Sequence, residues 1–335
     1  MAVAAASSPP TEEPPQPESG EAQPPAALDQ FAIARQLLPL SGPELKKLME
    51  RRPPRVWRDV LRCYALIGCG IALLATDSWL VWPIVFVLIG TQQHALFILA
   101  HDGMHSTLLP HRRANDLLTE ALLFAPLGMS LGDQKSNHLG HHRWLSTERD
   151  PDRFLHRASN KATVSAFLLF LSGLLTIVPS VTRVTPLAGP GRRRDAIKEL
   201  LLTRWPAFLA QALILALFAV VSTWWHYFVF WVLPVYALVA VPNQVRAFCE
   251  HAQPVVPDTA GDPDRLVTFR PGFLERQLIA PFNMHRHAEH HLWAFVPYFN
   301  LPKLDPIVRH HPDIEVRGSY AAFLRDYFRK LPLLP

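Results

Sequence analysis

The chain has 335 residues, enough for about two soluble domains of roughly 150 residues each. Charged residues make up only 18% of it, against roughly 25% in soluble domains, and mean hydropathy is +0.10 despite a polar, Pro-rich leader. Cys63, Cys69 and Cys249 are too few and odd in number for a disulfide framework, which excludes a stapled secreted scaffold and points to a reduced compartment. The net charge of +5 divides unevenly, because residues 1 to 30 carry Glu12, Glu13, Glu18, Glu21 and Asp29 without a Lys or Arg. Basic segments alternate with long apolar stretches in the remainder, and this favours a membrane surface over nucleic acid as the partner.

Residues 1 to 28 hold Ala, Ser, Pro and Glu with little to bury, so a disordered tail is predicted, followed by one membrane domain over 29 to 335. No signal peptide is expected, since the leader lacks a basic n-region and an apolar h-region before Phe31. Ser41-Gly42-Pro43-Glu44 has the form of a capping box opening a short helix through Leu45 and Leu48. Residues 60 to 76 and 79 to 100 are apolar and separated by Asp77 and Ser78, which reads as a transmembrane hairpin near the roughly 20-residue spanning length. Arg62 in the first stretch must snorkel to the surface. Residues 163 to 181, 206 to 222 and 224 to 242 are apolar as well.

Parity constrains the topology. Sixteen histidines are present, and eight of them fall in three tight clusters. If those clusters build one site, they share one membrane face, so an even number of crossings separates each pair. Too few residues lie between His105 and His138 for an out-and-back excursion, so 117 to 131 is expected to be interfacial or re-entrant. Arg143, Arg149, Arg153 and Arg157 precede the stretch 163 to 181, and Arg183, Arg192, Arg193, Arg194 and Lys198 follow it. The positive-inside rule puts both loops in the cytoplasm, leaving that stretch to dip in and return or to lie flat. The expectation is an all-α integral membrane fold: four transmembrane helices in two hairpins, cytoplasmic termini, and a cytoplasmic histidine-rich helical cap. Trp224, Trp225 and Tyr227 read as an aromatic belt. Abundant Ala, Arg and Pro point to a bacterial plasma membrane.

His101 and His105 are four residues apart at the end of the second crossing, so on a helix both rings can face one metal. His138-Leu139-Gly140-His141-His142 and His287-Ala288-Glu289-His290-His291 both have the form HxxHH, whose imidazoles share one helical face. Eight nitrogens exceed the four that one tetrahedral zinc takes, so two metals are implied. Imidazole suits Zn, Fe, Cu and Ni alike. His251, after the fourth crossing, is a ninth candidate ligand. Asp102, Glu250 and Glu289 are embedded in the clusters and could accept the second ring N–H of a ligating histidine, or simply pair with Arg246 or Arg286. His94 lies two turns before His101 and reads as a hydrogen-bonded interior residue, and His285 is off the spacing of its cluster. His111, His156, His226, His310 and His311 read as surface or interfacial.

HDGMH, SNHLGHHRWLSTERDPD, RAFCEH and NMHRHAEHHLWAFVPYFNLPKL resemble the histidine boxes and flanks of the membrane fatty-acid desaturase family, from about Trp57 to Lys303. The superfamily includes fatty-acid and carotenoid hydroxylases and ketolases. The resemblance implies a non-haem centre of two iron ions on the cytoplasmic side of a four-crossing bundle, using O2 and two electrons. It also implies His101, His105, His138, His141, His142, His251, His287, His290 and His291 as ligands. Family members often carry a His where this chain has Asp305. No dinucleotide loop, CxxCH or ferredoxin cysteine run is present, so a separate ferredoxin or cytochrome b5-like donor is expected, with Arg192, Arg193, Arg194 and Lys198 either docking that acidic carrier or holding anionic lipid. The expected reaction is desaturation of an acyl-lipid, acyl-CoA or acyl-carrier substrate, the chain lying in an apolar tunnel between the two hairpins. A carotenoid or acyl-chain hydroxylase or ketolase is the alternative within the superfamily. A zinc-binding membrane receptor or amidohydrolase is the alternative of another class, disfavoured by nine spaced histidines.

Overall fold

A computed structural model describes residues 30–37, 42–76, 78–145, 147, 149–156, 163–173, 190–251 and 266–332. The predicted tail, Ser41, Arg157, Arg183 and the second half of the stretch 163 to 181 lie outside the described residues. The described part is mostly helical.

Helices α1 (Gln30–Leu37) and α2 (Pro43–Leu48) lead into α3 (Pro53–Leu74). The helix expected near Leu45 forms, but its N-cap is Gly42 with Pro43 in the first turn and no side-chain cap. Helix α3 buries one stripe, Val56, Val60, Cys63, Ile67, Ile71 and Leu74, against α4 (Trp82–Met104). Arg62 projects from the exposed face and lies over the Phe282 ring, 5.4 Å from its centroid. Helix α4 exposes Ile84 and Val87 in its first half and is buried all round from Gln93 to Met104.

Helix α5 (Arg112–Leu118) runs on through a π turn (Thr119–Phe124) and a 3-10 turn (Ala125–Leu127), ended by Gly128 at φ +75°. Most of the stretch 117 to 131 is thus a short helical segment laid along α4. Then come α6 (Leu131–Trp144), capped by the Ser130 hydroxyl, α7 (Arg153–His156) and α8 (Val164–Leu171). Helix α9 (Pro190–Val221) is 32 residues long with Pro206 inside it. Two π turns, Phe228–Val232 and Val235–Ala240, feed α10 (Val241–His251). Gln211 of α9 donates to the carbonyls of Ala125 and Pro126 at 3.1 and 2.8 Å, tying α9 to the end of the α5 segment.

Among the described residues, three helical stretches are long and apolar enough to cross a membrane: Trp79–Met104, Leu200–Val221 and Phe228–His251. The first covers the predicted crossing 79 to 100, and the other two overlap the predicted crossings 206 to 222 and 224 to 242, the last beginning four residues later than expected. The predicted crossing 60 to 76 is helical but falls short of that standard, because α3 carries Arg55, Arg58, Asp59 and Arg62 in its first half. Leu202, Phe208, Leu213, Leu217 and Val220 are exposed along α9, a surface that suits hydrocarbon rather than water. Trp224 and Trp225 are exposed at the turn as a belt requires, whereas Tyr227 is buried with its hydroxyl donating to Gln211 at 2.7 Å. His226, expected at the surface, is also buried, its ring packed edge-on against Trp82 at 5.6 Å.

The all-α expectation misses a two-stranded parallel sheet, β1 (Leu266–Phe269) with β2 (Ile314–Arg317), in the register Leu266↔Ile314 to Phe269↔Arg317. Each strand has four residues, and the partners are far apart in the chain, so no local period announces them. Between them lie α11 (Phe273–Leu278), α12 (His287–Leu292) and α13 (Asp305–Val308), and α14 (Tyr320–Phe328) closes the described fold. Helix α12 rests on β1 and on α1. Phe269 stacks on Tyr320 with ring centroids 4.0 Å apart.

Gly103 explains why the first histidine cluster has no side chain at its centre. A Cβ there would collide with Thr119, lying 3.0 Å even from its Cβ, and the Gly103 carbonyl accepts from Asn115 Nδ2 at 2.8 Å. Gly103→Ala is expected to destabilise the α4–α5 contact by about 1 to 3 kcal/mol, the usual cost of overpacking. The apparent Tm in detergent should fall, and adding Thr119→Ala should recover much of the loss.

Candidate metal centre

Four segments deliver the nine histidines. His101 sits in the last turn of α4 and His105 caps that helix; α6 presents His138, His141 and His142; α10 ends on His251; α12 presents His287, His290 and His291. The i, i+3, i+4 spacing on α6 and α12 turns each triplet towards the core.

Their nitrogens form two groups. His101, His105, His138, His142 and His290 make one, and His141, His251, His287 and His291 the other; within each, ligand atoms lie within 4.8 Å of one another. Each HxxHH segment is divided between the groups. In the first group, Nε2–Nε2 separations are 2.8 Å for His105–His138, 3.1 Å for His138–His142 and 3.1 Å for His142–His290. In the second they are 3.2 Å for His141–His251 and 2.7 Å for His251–His287.

The opposite ring nitrogens decide what these approaches mean. His141 Nδ1 lies 2.9 and 3.0 Å from the two Asp150 carboxylate oxygens, His287 Nδ1 lies 3.1 Å from Glu250 Oε2, and His291 Nδ1 lies 3.3 Å from Gln30 Oε1. Each acceptor fixes the ring proton on Nδ1 and turns the Nε2 lone pair inward. Burial drives the His105 pKa down to about 3 and holds His138, His142, His287, His290 and His291 well below the ordinary value of 6.5, so these rings are neutral at pH 7. Converging lone pairs repel unless a cation lies among them. Two nitrogens each about 2.1 Å from one ion stand roughly 3 to 3.4 Å apart, close to the spacing found here. Both ring nitrogens of His101 are buried without a hydrogen-bond partner, which is costly except for a metal ligand or its close neighbour. The residues fit metal in both groups.

Of the three carboxylates expected to support the ligands, only Glu250 meets a histidine ring. It also accepts from the Tyr320 hydroxyl at 2.8 Å and faces Arg246 Nε at 3.5 Å. Asp102 instead accepts from the Tyr298 backbone N–H at 2.7 Å and the Thr107 hydroxyl at 3.1 Å, bracing the chain after the third cluster. Glu289 accepts from the Thr268 hydroxyl and pairs with Arg286 at 3.2 Å, locking α12 to β1. Asp150 and Gln30 were not singled out from sequence. Asp150 had a signal, a carboxylate before Pro151 just downstream of the second cluster, while Gln30 had none.

Among the described side chains, the other histidines stay outside both groups. His94 Nε2 bonds to the Ile279 carbonyl at 2.9 Å, and His285 Nδ1 to the Phe269 carbonyl at 2.8 Å. His111 and His310 are exposed. Asp305, in place of a further histidine, accepts from Arg270 at 2.9 Å and pairs with Arg286 at 2.8 Å and with Arg309.

A cavity of about 80 Å³ open to water-sized molecules lies against both groups, lined by His101 and His138 of one and His141, His251 and His287 of the other. Its remaining wall is mixed rather than apolar, with Phe97, Met104 and Leu155 beside Gln134, Asn137 and Arg246.

Membrane-length apolar helices with two histidine groups at their ends mark a helical protein that suits a membrane and can bind metal. The fatty acid desaturase family model matches residues 77–320, and the chain belongs to that family of oxidoreductases. It is 28% identical over 292 residues to dihydrorhizobitoxine desaturase of Bradyrhizobium elkanii, covering 80% of this chain and 79% of the relative. It is 27% identical over 254 residues to a beta-carotene ketolase of Paracoccus, covering 71% and 88%. An sn-1 acyl-lipid omega-3 desaturase (ferredoxin) of Nostoc is 22% identical over 280 residues, covering 79% and 75%. Family membership sets aside the zinc receptor and amidohydrolase readings.

Asp150→Asn keeps the size of the side chain but removes the charge that fixes the His141 proton. It is expected to weaken metal binding about 10- to 100-fold, read as faster metal loss to a chelator in the purified protein.

Proposed function

We propose that the chain is an O2-dependent enzyme with two iron ions that inserts a C=C bond into a fatty-acyl chain. The observation that carries this reading is the division of nine inward-facing imidazoles into groups of five and four, each compact enough for one ion. In the overall reaction –CH2–CH2– with O2, two electrons and two protons gives –CH=CH– and two water molecules. An unactivated methylene has no acidity for a side-chain base to exploit, so the bound irons would supply the oxidising power, drawn from O2.

The chain's own residues do the rest. His101, His105, His138, His142 and His290 would hold one ion, and His141, His251, His287 and His291 the other. Asp150, Glu250 and Gln30 keep the ring protons of His141, His287 and His291 on Nδ1, leaving Nε2 free to ligate. Burial of both groups keeps bulk water from the reacting carbons, and the cavity wall positions them. Because residues of both groups line the cavity, substrate carbons held there would lie beside the positions these histidines would give the ions.

The proposed topology has four crossings, with α3 completing the first hairpin, and with both termini and the histidines in the cytoplasm. The membrane would be a bacterial plasma membrane. The substrate would be an acyl-lipid, acyl-CoA or acyl-carrier thioester. A ferredoxin or cytochrome b5-like protein would deliver the electrons; the ferredoxin in the name of the Nostoc relative supports the first choice. Lys198 is exposed on α9 and would contribute to that docking surface.

A second reading rests on the ketolase relative, 88% of which is covered: oxygen insertion at the same centre, by a hydroxylase or ketolase acting on a carotenoid or acyl chain. Mass spectrometry of lipids from expressing cells separates the two, since desaturation removes two mass units and hydroxylation adds sixteen. His141→Ala and His290→Ala, one from each group, are expected to abolish either product and lower bound iron, while His311→Ala does neither. Full activity in the first two variants would refute the ligand assignment.

A further inference from the structure

The cavity beside the histidines contains a buried cation whose donors Glu250 does not saturate. Arg246 lies on α10 in a stripe with Asn243, Ala247 and Glu250, and all four line the cavity. Its side chain is only 6% exposed. Its contacts are Asn243 Oδ1 at 3.4 Å from Nη2 and Glu250 Oε2 at 3.5 Å from Nε, both long, while Nη1 is buried without any partner. Glu250 is engaged elsewhere, by His287 and Tyr320, and Asp152 accepts from Asn137 at 2.7 Å. A buried guanidinium with idle donors is costly, and water-sized space lies next to it. The natural complement to that planar fork is a carboxylate, which takes two parallel N–H bonds.

We propose that Arg246 is a specificity-determining residue that holds a carboxylate of the substrate beside the histidine groups. The inference rests on the reading of an O2-dependent enzyme with two iron ions but departs from its ester and thioester substrates: the substrate class it names is a compact molecule oxidised a few atoms from a free carboxylate. An acyl chain gripped only by its methylenes would leave the guanidinium idle. Asn137 and Gln134, on the α6 wall of the same cavity, can add neutral hydrogen bonds to the bound group, and Phe97, Met104 and Leu155 receive the first methylenes. Arg246 and five of the histidines line the same cavity, so the bonded carboxylate and the reacting carbons lie close together.

The test is binding to the purified, iron-loaded full chain, measured by calorimetry with butyrate, its neutral isostere butyramide, and acetate. Wild type is expected to bind butyrate at least about tenfold tighter than butyramide, as loss of a charged hydrogen-bond pair implies. Butyrate should also bind several-fold tighter than acetate, because its extra methylenes are buried. Arg246→Gln should remove the preference for butyrate over butyramide. Arg246→Lys keeps a cation beside Glu250 but loses the fork, and should weaken butyrate while retaining iron. Equal binding of butyrate and butyramide by wild type would overturn the proposal, as would equal binding of acetate and butyrate, the mark of an adventitious anion. Unchanged butyrate binding in both variants would place the anion on the metal alone and overturn it too. Iron loss in parallel with butyrate loss in both variants would make Arg246 a support for Glu250 only, again overturning it. Iron bound in wild type without a butyrate preference would leave the oxidase reading standing while this inference fell.

Discussion

Everything in this fold turns on holding unprotonated imidazole nitrogens face to face. Neutral rings whose lone pairs converge at about 3 Å repel one another, and burying them removes the water that would screen the repulsion. The chain accepts this by fixing the ring protons of His141, His287 and His291 outward, onto Asp150, Glu250 and Gln30. A cation in each group would reverse the sign of the interaction, and metal binding would then be part of folding, joining α4, α6, α10 and α12 at one place.

The surrounding architecture serves that convergence. Helix α4 is apolar and lipid-suited in its first half and buried on every side in its second, where it carries the first cluster. Gly103 allows α5 to approach that end closely, Asp102 grips the backbone at Tyr298, and Tyr298 donates its hydroxyl to Asp59 of α3 at 2.6 Å. One cluster is therefore braced by the segment following another. The β1–β2 pair does similar work beneath α12, where Thr268 and Arg286 fix Glu289 and so the direction in which His287, His290 and His291 point.

The site was more legible in the sequence than the fold around it. The nine histidines are evident because ligand spacing on a helix is local: i, i+3 and i+4 must appear in the chain itself. The division into groups was hidden, since it depends on which face of α6 meets which face of α12. Supporting residues were legible only when adjacent to a box. Glu250 was found in this way, but adjacency also suggested Asp102 and Glu289, which brace backbone and sheet instead. Gln30, whose partner His291 is at the other end of the chain, has no sequence signal at all. The apolar runs located three membrane-length helices correctly, while α3 mixes its apolar face with four charged residues in its first half. The four-residue strands lie below what periodicity can detect.

The most direct test of the central claim is the metal content of the purified full-length protein, measured by elemental analysis alongside Mössbauer spectroscopy of 57Fe-grown material. Two irons per chain, in nitrogen-rich and inequivalent environments as groups of five and four imidazoles require, is the predicted result. A single ion per chain, or a chain that folds and turns over without iron, would contradict it.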